Sequence, residues 1–414
     1  MTKCGRVIAK TLGLFGGLDI VVNAATIHRF GTVLETDPDT WNQCMVMNVG
    51  SMYMYLMAHL GVPEMKKRGR GSILDSASVR GYTCQRGVAA YSASKGAIYN
   101  VHGGLTATRY RSAMSENPVC VAPTGDVCGE GAVWHAAHKA VYWTDINRFL
   151  IHRFTPADQC VRTWFFDEPV TALTLTDRDE VLTVVLGSRL ILWEPATDMR
   201  HDHAFHLEGW PKVRLNDARS DPRGSLWVGS MRNNVKSDGS SGAAGGQDGV
   251  LFRLDPDAKI TQWQRDIGIS NTLAWSPDQR RFYFGDTLAN TVWVYDYDLA
   301  TGTITNQRPF LEGFARGLPD GSTVDSEGYL WNCRFFGGCI VRVAPDGQID
   351  RVVEMPVNNI TTCTFGGPDR KTLYVTTASI QAPPSDRLAG SLYAIDTEVA
   401  GQPENRFCLF GRAG

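Results

Sequence analysis

Six short apolar triplets recur at a nearly constant spacing, and that spacing limits what this chain can become. They begin at Val141 (VYW), Val181 (VLT), Leu226 (LWV), Phe282 (FYF), Leu330 (LWN) and Leu373 (LYV), at intervals of 40, 45, 56, 48 and 43 residues. A tight polar turn stands ahead of each: HAAHK, TDRDE, SDPRG, SPDQR, DSEG and GPDRK. In most repeats a further strand-like run follows, such as FLIHRF, RLILWEP or TVWVYDYD. Strand, turn and strand at this period predict the blades of a β-propeller, here six of them. Closing the ring brings equivalent positions of all repeats to one axis. Ten or eleven residues before the triplets stand Glu130, Thr171, Asn216, Asn271, Asp320 and Cys363, four of them carboxylates or amides. These define the candidate site.

The rest of the chain has a different grammar. Ten of the eleven tryptophans lie beyond residue 118, where short strands and Pro/Asp/Gly turns prevail. Ahead of residue 105, LDIVVNAA (18–25) reads as a buried parallel strand, 39–68 has helical periodicity, GSILDSAS (71–78) is the next strand, and Tyr91 to Val101 is a helix. That order suits a parallel α/β sheet. The expected fold is therefore an all-β six-bladed propeller over 118–414, preceded by an incomplete α/β Rossmann-like fragment over 1–105 and a linker, TATRYRSAMSEN, over 106–117. A Gly/Ser-rich stretch, KSDGSSGAAGGQDG (236–249), occupies the longest interval, either as a surface insertion or as a border of the site.

Charge narrows the function. A formal net charge of −2 gives no general attraction to nucleic acid or to an anionic membrane, so a small-molecule ligand is expected. Ten cysteines without a CxxC pair read as reduced thiols. With no apolar run of about 18 residues and no secretory leader pattern in the first residues, a cytoplasmic location is expected.

Glu130 (in CGEGAVW), Asn271 (in ISNTLAWSP) and Asp320 (in LPDGSTVD) offer only oxygen donors. Such a set suits a hard divalent cation, Ca²⁺, Mg²⁺ or Mn²⁺, with Zn²⁺ also to be tried. A cation there would polarise a carbonyl and acidify its water. Arg214 and Asn216, in VRLNDARSDPRG, would face the same axis as hydrogen-bonding groups for a polar substrate. The competing reading is that Asn, Asp and Gly merely make turns, which accounts for Asp278 and Asp369 and not for the polar positions upstream.

These motifs, in their order and spacing, resemble the SMP-30/gluconolactonase/LRE-like (regucalcin-type) family of six-bladed propellers over about 118–414. The resemblance implies a divalent metal on Glu130, Asn271 and Asp320, substrate binding by Arg214 and Asn216, and hydrolysis of sugar-acid lactones with Asp320 also as the catalytic base. One departure is visible. Many members carry an acidic residue just after the motif matched by GSM (229–231), where this chain has Arg232, Asn233 and Asn234.

The front part resembles the short-chain dehydrogenase/reductase family over about 7–105. VNAA (22–25) stands for its NNAG motif, Asn48 for its structural Asn, and Ser78, Tyr91 and Lys95 for its catalytic Ser and YxxxK pair. Hydride transfer needs a nicotinamide seated on a Gly-rich turn well upstream. No TGxxxGxG precedes Val22, and the pattern fails after Asn100, so no NAD(P) is expected and the motif is read as vestigial. Three functions are set against one another: a metal-dependent lactonase, an NAD(P)-dependent reductase, and a non-catalytic Ca-binding propeller. The absence of any Trp-Asp dipeptide argues against a WD-type platform, and the converging oxygen donors favour the lactonase.

Overall fold

The computed structural model describes residues 3–23, 26–50, 58–68, 72–75, 78, 87–106 and 117–409. Two compact units, Met1–Ala113 and Met114–Gly414, make up the chain. Most of the expected linker, 107–116, lies outside the described residues.

The second unit is a propeller of six four-stranded antiparallel sheets. Their innermost strands are Gly129–His135, Val170–Leu175, Val213–Ser220, Ser270–Trp275, Leu318–Val324 and Ile360–Gly366, for blades one to six. Each innermost strand packs on its two neighbours around the ring, the sixth on the first. Blade six is closed by a strand from the start of the unit: Val119–Ala122 pairs antiparallel with Leu392–Asp396. The strand from the start of the unit thus becomes the outermost strand of blade six and fastens the two ends of the ring together.

Two of the turns show how local sequence makes a blade. In SDPRGSLW, Asp221 accepts from the N–H groups of Arg223 (2.9 Å) and Ser225 (2.8 Å), and from Trp227 Nε1 at 2.9 Å. Asp325 repeats this in DSEGYLW, accepting from Glu327 N, Tyr329 N and Trp331 Nε1. The Asp therefore ties the turn to the tryptophan that fills the blade core, where Trp227 and Trp331 are fully buried.

After the last strand the chain crosses the C-terminal ends of the inner strands. Gly401 bridges to Asp325, Gln402 Nε2 donates to Trp275 O, Phe407 bridges to Thr176, and Cys408 N donates to Gly224 O. Glu404 accepts from Thr364 Oγ1 (3.0 Å) and lies 3.6 Å from Arg219 Nη1. This segment touches blades two to six.

The first unit is thinner. A two-stranded parallel sheet pairs Ile20–Asn23 with Ser72–Asp75, among helices Lys3–Phe15, Pro38–Met45, Ala58–Lys67 and Ala89–Thr106. The helix Lys3–Phe15 was not foreseen in the sequence pattern, and the 39–68 periodicity resolves into two helices with a π-turn at Val46–Gly50, residues 51–57 being outside the described set. LDIVVNAA is expected to be buried on both faces. Instead Val21 is 4% exposed while Ile20 and Val22 are 61% and 63% exposed; among the described residues, the hydrophobic cluster at this strand is Val21 with Leu18, Met65 and Leu12.

Candidate active site at the axis of the propeller

Every innermost strand carries a register break at its axial position: after Glu130, Val170, Leu215, Asn271, Pro319 and Ile360. A bulge re-aims a side chain out of the sheet plane. Repeated six times near the N-terminal ends of the inner strands, it turns Glu130, Thr171, Asn216, Asn271, Asp320 and Thr361 toward one channel. The sixth position thus corrects the sequence register. Cys363 is paired with Val375 and packed in the hydrophobic cluster of blades five and six, and Thr361 takes the place expected for it. Thr361 and Thr171 give their hydroxyls to backbone carbonyls, of Gly129 and Val185.

Close approach at two acidic positions requires glycine. Gly131, at φ +60°, would place a Cβ 2.9 Å from Ala172 Cα, and Gly321 one 2.2 Å from Thr362 Oγ1. Glu130 and Asp320 each precede one of these contacts, so the strands that bear them are pinched against the next blade.

A hydrogen-bond relay orients the amides. Arg214 Nη1 donates to Asn216 Oδ1 (2.6 Å), Asn216 Nδ2 donates to Ser270 O (2.9 Å) and Asn271 Oδ1 (3.2 Å), and Asn271 Nδ2 donates to Thr287 Oγ1 (2.8 Å). Thr287 in turn donates to Pro319 O at 2.8 Å, one residue before Asp320. Both N–H groups of Asn216 are taken by protein acceptors. Its place is therefore between the guanidinium and the Asn271 carbonyl, with only a lone pair left for a ligand.

The carboxylates are the opposite case. Glu130 accepts from Gly131 N at 3.1 Å, and among the described residues neither it nor Asp320 has an ion-pair partner. Burial raises the proton affinity of Glu130 well above the ordinary range, reinforced by the charges of Asp320 and Asp217. Burial and Asp217 do the same to Asp320. Asp217 itself, not singled out by the repeat spacing because it follows Asn216 within the same bulge, is pushed up to about 6 by burial, opposed by Arg219 and by backbone N–H groups including Ala218 (2.8 Å). Burial also lowers Arg214 to about 10. A cluster of carboxyls in contact must hold protons or a cation, since adjacent like charges cannot all be borne unpaired. Two carboxylates and an oriented amide oxygen form an all-oxygen donor set, which fits a hard divalent ion. Among the described residues no group of three or more His, Cys, Asp or Glu side chains is placed to hold a metal ion, the axis included, so a cation here would depend on the Asn271 carbonyl as its third protein donor.

In the first unit, Asn48 is fully buried and holds Thr26 Oγ1 (2.9 Å), the N–H (2.7 Å) and carbonyl (2.9 Å) of Ile27, and Ser94 Oγ (2.9 Å). Tyr91 stacks edge-on with His28 at 4.4 Å, and Lys95 Nζ sits 5.8 Å from the Tyr91 ring centre. Burial lowers the Lys95 pKa. Ser78 is half-buried, and Ala24 and Ala25 of VNAA fall outside the described residues.

A six-bladed propeller with an axial acid–amide cluster is a known class of protein, and comparison with known proteins places this one within it. Residues 128–379 match the SMP-30/gluconolactonase/LRE-like region, and the chain belongs to that family. The first 120 residues match the short chain dehydrogenase family, a longer span than the 7–105 expected from motifs. Pentonolactonase XacC of Haloferax volcanii is 36% identical over 67% of this chain and 94% of its own length. A 6-deoxy-6-sulfogluconolactonase of Pseudomonas putida is 31% identical over 71% and 99%. Among solved structures, a calcium-binding regucalcin from Agrobacterium tumefaciens superposes with a TM-score of 0.65 at 26% identity, covering 71% of this chain and 97% of that one.

Proposed function

We propose that the propeller hydrolyses a sugar-acid lactone to the open-chain aldonate, using a divalent cation held by Glu130, Asn271 and Asp320. What carries this reading is the pairing of half-buried Glu130 with buried Asp320, two carboxyls in hydrogen-bond contact without a basic partner among the described residues, beside an amide oxygen fixed in orientation by the Arg214–Asn216 relay. The names of the relatives support it: two are lactonases acting on sugar-derived lactones, and one structural neighbour is described as calcium-binding.

A bound cation would supply carbonyl polarisation and a more acidic water. The protein's own groups do the rest. Asp320, whose proton affinity burial has raised, takes the proton of the attacking water at its carboxylate oxygen. Water adds to the ester carbon, the bond from that carbon to the ring oxygen breaks, the proton on Asp320 passes to the departing alkoxide, and the new carboxyl loses the second water proton to solvent, leaving the aldonate. Arg214 and the remaining lone pair of Asn216 orient the hydroxyls of the sugar.

The test is proton release from pentono- and hexonolactones by chelator-stripped protein resupplied with Ca²⁺, Mg²⁺, Mn²⁺ or Zn²⁺. Hydrolysis restored by a cation supports the proposal. Hydrolysis that persists fully without any cation removes the metal role, and none under any condition from folded protein removes the lactonase.

A further inference from the structure

Arg214 is bound in an unusual way for a buried guanidinium. Its Nη1 donates to Leu215 O (3.0 Å) and Asn216 Oδ1 (2.6 Å), while Nε (3.2 Å) and Nη2 (3.0 Å) both reach Asn234 Oδ1. The three acceptors of these four bonds are all neutral, and one of the five N–H groups of the guanidinium is left over. Asn234 stands in the loop after the strand Leu226–Arg232. Among the described residues its own amide N–H groups have no acceptor, and it is only half-buried. Other charges nearby are already engaged. Arg232 pairs with Asp248 at 2.7 Å, and the carboxylate that bears on Arg214, Glu130, is one that a cation would claim. The loop is also fixed in place, since Asn147 Nδ2 donates to Gly239 O (2.7 Å) and Ser241 Oγ (2.9 Å) across the mouth.

A buried cation is stable when it meets an anion, and a guanidinium with an amide beside it presents hydrogen-bond donors in a fixed fork suited to carboxylate, sulfonate or phosphate oxygens. We propose that Arg214 and Asn234 form an anion seat at the channel mouth, so that the lactone taken here carries a second, negatively charged group besides its ester. An acidic residue at position 234 would neutralise the guanidinium internally; Asn leaves that charge for the substrate. The inference rests on the lactonase reading and names its substrate class.

The experiment compares lactones of equal ring size: glucono-1,4-lactone against glucaro-1,4-lactone, with 6-phospho- and 6-sulfo-gluconolactone arms to separate the anion types. The expected kcat/KM ratio favours the charged substrates by about tenfold or more at low salt and narrows as ionic strength rises. In Asn234→Asp that ratio falls at least about tenfold. Should that variant not fold, Asn234→Ser, which removes the amide without adding charge, is expected to lower the ratio less. Calorimetry of gluconate against glucarate binding reads the seat without turnover, and the wild type is expected to favour glucarate. Equal handling of charged and neutral lactones, or a ratio unmoved in the Asn234 variants, overturns the seat. If no lactone is hydrolysed the lactonase reading fails instead, and the calorimetric preference alone then decides the seat.

Discussion

Two strands of similar length show what separates the halves of this chain. In blade one, every residue of Ala140–Asp145 is buried, because each face of the strand meets a neighbouring blade. In the first unit, Ile20–Asn23 is paired, among the described residues, with a single partner strand and leaves Ile20 and Val22 mostly in water. Both strands are written in the same apolar alphabet. The difference lies in what surrounds them: the ring supplies every strand with a neighbour, whereas a two-stranded parallel sheet cannot cover both of its faces. Binding chemistry follows the same division, since only the ring brings residues from distant repeats to one point.

The largest effect expected from breaking this contrast is at the axis. Asp320→Ala should reduce kcat by about a thousandfold or more, as loss of a ligand and base together would. Its thermal midpoint without cation should stay at or above that of the wild type, because a buried, unpaired carboxylate is a cost to the folded state. A variant that keeps the wild-type rate with its cation bound would remove Asp320 from the mechanism.

Cation and proton should compete for the same cluster, and the sign of that competition is fixed. Asp217 is raised to about 6, and Glu130 and Asp320 are also raised, so the folded state binds protons more tightly than the unfolded chain does. Their favourable contribution to the metal-free protein is complete below the unfolded carboxylate range near pH 4 and is lost as pH rises through the folded values. A cation replaces the proton. Scanning calorimetry with chelator and with saturating Ca²⁺ should therefore show a larger cation-induced rise in Tm at pH 8 than at pH 5. At a hundredfold excess over Kd the stabilisation is about 2.7 kcal/mol, a shift of a few degrees for a unit of this size. An equal rise at both pH values would place the cation elsewhere.

The blade period and most of the axial set were legible in the sequence because a propeller repeats one local rule: triplet, polar turn, and a polar position at fixed distance. The rule failed at Cys363, where the register break after Ile360 moves the axial place to Thr361; spacing counted from the triplet cannot see a bulge. It also passed over Asp217, since a bulge of more than one residue turns two neighbours inward and the spacing names only one. Asn234 was noticed only as a departure from the expected acidic residue, and its partner Arg214 lies 20 residues away on the facing strand. In the first unit the strands and the helix bearing Tyr91 were visible from their periodicity. The one-sided exposure of Ile20–Asn23 was not, because burial on the second face depends on strands that are not local in sequence.

The smaller effects test whether the first unit has any part in the chemistry. Asn48 makes four hydrogen bonds that tie the segment at Thr26 and Ile27 to the helix carrying Tyr91. Asn48→Ala leaves buried partners unsatisfied and should destabilise that unit by about 1–3 kcal/mol, read as faster limited proteolysis before residue 107. The same variant should keep lactone kcat/KM within about twofold, since none of those bonds reaches the propeller axis. A parallel fall in hydrolysis and protease resistance would mean that the two units act together. The last probe is nucleotide binding. Tyr91 and Lys95 remain one helical turn apart, with Lys95 made easier to deprotonate by burial, so the acid–base half of a reductase is present in residue type. A nicotinamide would need a Gly-rich phosphate turn between a strand and a helix. Gly16 instead follows directly on the helix Lys3–Phe15 and precedes the strand Ile20–Asn23, the reverse of that order. Titration with NADH or NADPH should accordingly give no saturable fluorescence change, and a saturable one would restore the reductase reading for this unit.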